Sequence, residues 1–124
     1  MSGRVVHFEI PYDDRERANT FYTEAFGWSM RPLPEMRYQL ATTGPSDGGP
    51  PSEPGFINGG LLERGLPVAG PVVVLSVEDI DACLEHVERL GGETVSAKQP
   101  VDDLGFSAYF RDTEGNLMGL WQPR

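Results

Sequence analysis

The sequence predicts an α+β fold made of two tandem βαβββ modules. Two segments carry the prediction, VVHFEIPYDD at 5–14 and VVVLSVED at 72–79, because each is an apolar strand that enters an acidic turn. A helical segment that ends in glycine follows each of them, at 15–27 and at 80–92. The two halves align without a gap at an offset of 65 residues, which sets His7 against Val72 and Asp14 against Asp79. This agreement over more than twenty positions indicates an internal duplication.

The remaining elements repeat in the same order. Strand-like segments follow the helices at 28–33, 36–43 and 57–63 in the first half, and at 93–97, 106–111 and 117–122 in the second. Module one therefore spans 4–64, a linker covers 65–71, module two spans 72–122, and together they form a single domain over 1–124. A module of about 60 residues with one helix buries too little apolar surface to be stable alone. We therefore expect one cup-shaped mixed sheet with the helices on its outer face.

Local signals mark the helix ends and one long loop. Asp13 with Glu16 is typical of a capping box, and Gly27 and Gly92 fall where a left-handed cap favours glycine. Between Gly44 and Gly60, ten of seventeen residues are Gly or Pro, which predicts a loop or flap.

Composition excludes several classes of function. The net charge is −9, from 19 acidic and 10 basic residues, and such a field repels phosphate backbones and anionic lipid. The single cysteine excludes an internal disulfide framework. Neither a signal peptide nor an apolar run long enough to cross a bilayer occurs. We expect a cytoplasmic protein that binds neither nucleic acid nor membrane.

The first strand carries the most informative polar pair. His7 and Glu9 share one face because side chains alternate along a strand, whereas Val6, Phe8 and Ile10 form an apolar face that suits packing against helices. We expect the His7 face to line the cup. His7 and Glu9 would there act as base and acid, or orient a ligand hydroxyl. The alternative is a hydrogen-bonded pair left from an ancestral site, or a contact between subunits.

Four stretches of sequence point to a known family: HFEIPYDDRERANTFYTEAFGW at 7–28, INGGL at 57–61, VEDIDACLEHVERLGG at 77–92 and AYFRDTEGNLMGLWQ at 108–122. Together they resemble the vicinal oxygen chelate superfamily, which includes glyoxalase I, ring-cleaving dioxygenases, fosfomycin-resistance enzymes and bleomycin-binding proteins. The resemblance implies two βαβββ modules around a cup and is closest to small glyoxalase-like proteins. A homodimer is expected, since single-chain members of this size commonly dimerise.

The same resemblance implies metal ligands on the first and last strand of each module. His7 matches one of these positions, but Val72 and Gly119 match two others and cannot bind a metal. Glu63 is the only candidate near the fourth position. Because a catalytic divalent site normally keeps three protein ligands, we expect no metal and no other cofactor, with His7 and Glu63 as the fallback ligands.

Further cup residues follow from this alignment. Gly119 would enlarge the cavity, and Val72 and Val74 would make one wall apolar. Trp121, on the same strand face as Gly119, would either stack on a ligand or belong to the core. Two residues complete the expected ligand-binding set: Tyr38, reaching in from the third strand, and Asn58, bending the flap over the mouth of the cup.

Four functions remain open on these grounds. The first is metal-independent binding of a small, partly apolar organic molecule. The second is a lyase, isomerase or epimerase in which His7 and Glu9 move a proton next to a carbonyl. The third is a glyoxalase-like or dioxygenase-like enzyme with a degraded metal site at His7 and Glu63. The fourth is a vestigial cup whose surface serves another protein.

Overall fold

A computed structural model describes residues 3–46 and 50–124 of the chain, so residues 47–49 of the predicted flap lie outside the described part. In chain order the elements are β1 (Arg4–Tyr12), α1 (Arg15–Phe26), β2 (Ser29–Leu33), a short 3₁₀ turn (Pro34–Met36), β3 (Tyr38–Thr42), β4 (Gly59–Glu63), β5 (Val72–Ser76), α2 (Ile80–Arg89), β6 (Glu93–Val101), β7 (Gly105–Arg111) and β8 (Leu117–Pro123). The predicted α+β class and the twofold βαβββ order are confirmed. Met36, predicted as strand, lies in the turn that begins at Pro34.

The strands pair in the same way in both halves of the chain. One compact unit is His7–Pro71, with strand order β2-β3-β4-β1. The other contains Val72–Arg124 and residues 3–6, with strand order β6-β7-β8-β5. In each unit the first strand of the module runs parallel to the last, β1 with β4 and β5 with β8. The other paired strands are antiparallel: β2 with β3, β3 with β4, β6 with β7, and β7 with β8. Each unit therefore contains a small mixed sheet.

The two helices begin at residues related by the repeat. Asp14 caps α1 by accepting a hydrogen bond from the Arg17 backbone N–H, and Asp79 caps α2 in the same way from Ala82. The capping box predicted at Asp13 is wrong by one residue, because the Asp13 carboxylate pairs with Arg64 at 2.8 Å.

A glycine in the left-handed conformation follows each helix, but after α2 it is not the glycine that the sequence predicted. Gly27 adopts a left-handed conformation with φ 73°, as expected of a helix cap. After α2 the left-handed residue is Gly91, with φ 102°, and not Gly92. Gly92 is instead required for space, because a Cβ there would lie 2.6 Å from a methyl group of Val87.

The helices differ in how they pack. In the second unit, Ile80, Cys83 and Leu84 of α2 are buried against Ala108, Phe110 and Leu120 of the sheet. Burial also raises the pKa of the Cys83 thiol, which fits a structural residue. No residue of α1 is buried. In the first unit this helix is held by specific contacts, a reciprocal pair of 2.9 Å amide hydrogen bonds between Asn19 and buried Gln39 and a stack of Tyr22 on Trp28.

Removal of either helix cap should weaken the fold by a similar amount. Asp14→Ala and Asp79→Ala are each expected to lower the free energy of unfolding by about 1 kcal/mol, because each leaves a helix N–H without its acceptor. Urea denaturation measures the change. Asp13→Ala is the control and should cost less than either, since an exposed ion pair contributes little. A larger loss for Asp13→Ala than for Asp14→Ala would contradict the assignment of the cap.

Candidate functional site

The two faces of β1 are separated as alternation predicts. On one face the Phe8 ring lies 5.5 Å from the Trp28 ring and packs directly over Gly59. On the other face His7 is half-buried and Glu9 is buried, with 8% of its surface exposed. The anchoring of Phe8 therefore fixes the direction of the polar pair.

Tyr38 joins His7 and Glu9 into one hydrogen-bonded chain. Its hydroxyl lies 2.7 Å from His7 Nε2 and donates to Glu9 Oε2 at 2.9 Å. Tyr38 comes from the start of β3, where the next residue, Gln39, points toward α1. Alternation along β3 thus delivers the Tyr38 side chain to the face that holds His7 and Glu9. The structure brings together these three of the predicted site residues.

Gly60 provides the room for this arrangement. Gly60 pairs with Glu9 on β1 and with Leu40 on β3. It therefore lies between the strand that provides His7 and Glu9 and the strand that provides Tyr38. The Tyr38 ring and hydroxyl pass over Gly60 so closely that a Cβ at this position would occupy the same space. Gly59 makes room for Phe8 on the opposite face in the same way. These packing roles were missed from the sequence, although paired glycines inside a strand often mark a close approach.

Burial sets the charge of the histidine. Desolvation lowers the pKa of His7 to about 4 from its ordinary value of 6.5, because the charged imidazolium loses hydration. The ring is therefore neutral at pH 7, so one nitrogen donates a hydrogen bond and the other accepts. Such a group can accept a proton or a hydrogen bond from a ligand.

Asn58 lies at the end of the loop between β3 and β4, next to the start of β4. Its amide oxygen accepts from the Thr43 backbone N–H at 2.9 Å and its amide nitrogen donates to Ser46 Oγ at 2.8 Å. Thr43 in turn donates its hydroxyl to the Ile57 carbonyl. Asn58 therefore ties together the two ends of the loop between β3 and β4, and both ends of its amide are already engaged.

Three of the predicted residues meet in the second unit. Val74 pairs with Gly119 across β5 and β8, and both Val72 and Val74 are buried. A Cβ at Gly119 would lie 3.0 Å from a methyl group of Val74 and 3.6 Å from one of Val72. The expectation that Gly119 enlarges a cavity is therefore wrong at this point, because the two valines fill the space.

Trp121 lies on the same face of β8 as Gly119, as alternation predicts, and remains half-buried. Its ring extends over Gly105 of β7, where a Cβ would lie 2.9 Å from Cζ2 of the indole. Gly105 therefore leaves room for the ring, as it does for the neighbouring Gln122 backbone carbonyl.

The residues present do not fit the metal site that the resemblance implies. In β4, Glu63 alternates with Leu62 and so shares the face of buried Leu61, whereas Gly60, opposite Glu9, belongs to the other face. The fallback ligands His7 and Glu63 therefore point to opposite faces of the first unit's sheet. In the second unit, Val72 and Gly119 have no donor atom. Within residues 3–46 and 50–124, no three His, Cys, Asp or Glu side chains are grouped as metal ligands.

Comparison with known proteins places the chain in a family. The model of the bleomycin resistance protein-like N-terminal region matches residues 4–44. A glyoxylase-like domain-containing protein from Didymella fabae is 31% identical over 129 residues, which cover 97% of this chain and 94% of that protein. The chain belongs to the glyoxalase-like, or vicinal oxygen chelate, superfamily. The resemblance inferred from the sequence is thereby confirmed.

Solved structures of this glyoxalase-like fold agree. Methylmalonyl-CoA epimerase from Mycobacterium tuberculosis matches with a TM-score of 0.64 and 17% identity, covering 99% of this chain and 88% of that one. A glyoxalase/bleomycin resistance protein/dioxygenase superfamily member from Vibrio splendidus matches with a TM-score of 0.63 and 16% identity, covering 99% of this chain and 100% of that one. At such identities the likeness establishes the fold alone.

Neither described helix is long and apolar enough to span a membrane.

Proposed function

We propose that this glyoxalase-like protein binds a small, partly apolar organic molecule at the His7–Tyr38–Glu9 chain, without a metal ion. The observation that carries the proposal is the chain itself, three polar side chains hydrogen-bonded in a row on one face of the first unit's sheet. Polar groups placed in this way fix the orientation of a bound molecule. A hydroxyl group of the ligand would face His7.

Apolar side chains surround this polar chain. Leu40 lies two residues from Tyr38 on β3, and Leu62 pairs with Tyr38 from β4, so both share its face of the sheet. Both are half-buried, which leaves part of their surface for a ligand. A molecule with one polar group and an apolar body suits this combination better than a highly charged one does. The net charge of −9 acts in the same direction by disfavouring anions.

The occupied Nε2 atom supports a metal-free mode of binding. His7 Nε2 is already hydrogen-bonded to Tyr38, Glu9 accepts a hydrogen bond from the same hydroxyl, and Glu63 points to the opposite face of the sheet. A divalent ion at Nε2 would have to displace the Tyr38 hydroxyl.

Thermal melting with a panel of small alcohols, ketones and carboxylic acids tests the proposal. A ligand at one hundred times its Kd stabilises the folded state by about 2.7 kcal/mol, which a melting curve resolves easily. We expect the shift to disappear in His7→Ala and to remain in His86→Ala, because His86 is exposed on α2. Failure of every compound to give a shift that depends on His7 would reject the proposal.

A second candidate function is proton transfer at a carbon next to a carbonyl, as in an isomerase or epimerase. The specific observation in its favour is that a neutral histidine and a carboxylate are joined through a hydroxyl. The structural likeness to methylmalonyl-CoA epimerase makes this class of reaction reasonable on this fold.

Deuterium exchange distinguishes catalysis from binding. The protein is incubated in D₂O with 3-hydroxy-2-butanone, and deuterium at the α-carbon is followed by NMR. Loss of the Glu9 carboxylate, which takes part in the proton transfer, should slow exchange by about 100-fold or more in Glu9→Gln. Glu63→Gln is the matched control and should leave the rate unchanged. No exchange above the uncatalysed rate would reject this second candidate for α-hydroxyketones.

A further inference from the structure

The direction of each hydrogen bond in the His7–Tyr38–Glu9 chain can be assigned. The Tyr38 hydroxyl has a single proton, which it donates to the Glu9 carboxylate. The contact between Tyr38 Oη and His7 Nε2 at 2.7 Å therefore has its proton on the histidine side. His7 is thus held in the tautomer with hydrogen on Nε2, and its Nδ1 atom bears an unshared lone pair.

The Nδ1 atom is the end of the chain at which a ligand can act. Among the residues that the structure describes, His7 forms its side-chain hydrogen bond through Nε2 and none through Nδ1. A proton added there and left on the ring would create an imidazolium in a poorly hydrated position. Transfer of a proton along the chain avoids that charge, because the carboxylate at the far end becomes neutral as the proton arrives.

We propose that Tyr38 is a relay residue, which passes to Glu9 the proton that His7 Nδ1 accepts from an acidic X–H group of the ligand. In this step the X–H bond breaks and an Nδ1–H bond forms. The Nε2 proton moves to Tyr38 Oη, and the Tyr38 proton moves to Glu9 Oε2. The products are X⁻, a neutral histidine with hydrogen on Nδ1, a neutral tyrosine and a protonated carboxyl, so the total charge is unchanged.

The relay defines a ligand class. Nδ1 accepts but cannot donate in the resting tautomer, so the site selects a molecule that offers a hydrogen, such as a phenol, an enol or another acidic hydroxyl. A ligand whose only polar group is an acceptor, such as an ether, gains nothing from Nδ1. This inference rests on the proposed function, since it assumes that the ligand binds at this chain.

The resting tautomer is measured by ¹⁵N NMR of histidine-labelled protein, without a ligand. We expect His7 to show a protonated Nε2 and an unprotonated Nδ1 at neutral pH, and the tautomer preference to be lost in Tyr38→Phe. Tyr12→Phe is the matched control on β1, and His86 is an internal reference in every spectrum. A protonated Nδ1 or an imidazolium in the wild type would overturn the relay. An unchanged tautomer in Tyr38→Phe would also overturn it, because Tyr38 would then not set the proton's position.

A pair of probes that differ in one O–H group tests the ligand class. Phenol should move the Nδ1 resonance of His7, whereas anisole should not, and the response to phenol should weaken in Tyr38→Phe. Equal responses to both probes, or no response to phenol, would overturn the assigned class. The tautomer of His7 is measured without a ligand. A negative result there rejects the relay, whereas a negative result in the melting experiment rejects the proposed binding function.

Discussion

Replacing Gly60 with alanine is expected to lower the free energy of unfolding by about 1–3 kcal/mol, the usual cost of adding volume to a well-packed position. The new methyl group would occupy the space of the Tyr38 ring and hydroxyl. Tyr38 would have to leave, which breaks its hydrogen bonds to His7 and Glu9. Urea denaturation measures the stability, and the ¹⁵N spectrum of His7 reports whether the chain persists.

Gly70 provides a matched control for this substitution. A Cβ at Gly70 would meet no atom within 4 Å, so Gly70→Ala should leave both stability and the His7 spectrum nearly unchanged. The double variant Gly60→Ala with Tyr38→Ala should lose less stability than the two single losses added together, because removal of the ring relieves the clash. Additive losses, or an unperturbed His7 spectrum in Gly60→Ala, would contradict the packing described for Tyr38.

The protein is expected to lose up to about 3 kcal/mol of stability through His7 as pH falls from 6.5 to 4. In this window the unfolded chain takes up a proton on His7, whose pKa there has its ordinary value of 6.5. The folded protein does not, because burial lowers the pKa of His7 to about 4. The unfolded state therefore binds more protons, and stability decreases as pH falls. Above pH 6.5 both states are neutral at His7, and this contribution to the pH dependence vanishes.

Comparison of two histidine variants isolates the effect. The free energy of unfolding is measured against pH for the wild type, His7→Gln and His86→Gln. The loss between pH 6.5 and 4 should be smaller in His7→Gln by up to about 3 kcal/mol, since glutamine does not titrate. Glu9 and Tyr38, the groups that face His7, remain in both variants. A wild-type pH profile that His7→Gln leaves unchanged would show that His7 is not buried as described.

The parts of the site that depend on one strand were predictable from the sequence. Alternation along β1 is a local property, so it correctly separated His7 and Glu9 from Phe8. The repeat likewise related the helix caps Asp14 and Asp79, although the sequence alone did not distinguish Asp13 from Asp14. Both carboxylates can serve as a cap, and the ion pair with Arg64, 51 residues away, decided between them.

The parts that depend on contacts between strands were not predictable in the same way. The sequence suggested that Tyr38 points inward, but its place between His7 and Glu9 requires the register that sets Gly60 beside Glu9. For Gly119 the prediction from the sequence was wrong. Its missing side chain suggested an open cavity, whereas parallel pairing with Val74 brings a methyl group into that space. Whether a glycine leaves an open cavity depends on the side chains of the strand that pairs with it. Because that strand can be far away in the sequence, the outcome cannot be predicted from the residues next to the glycine.

The most direct test of the central claim, a metal-independent site at His7, Tyr38 and Glu9, is the melting temperature of chelator-stripped protein with and without Zn²⁺, Ni²⁺, Mn²⁺ and Fe²⁺. The wild type and His7→Ala are compared under the same conditions. Because Tyr38 occupies Nε2 and Glu63 faces away, we expect no metal to raise the melting temperature through His7. A rise in the wild type that disappears in His7→Ala would contradict the account and would return the protein to the metal-dependent branch of its superfamily.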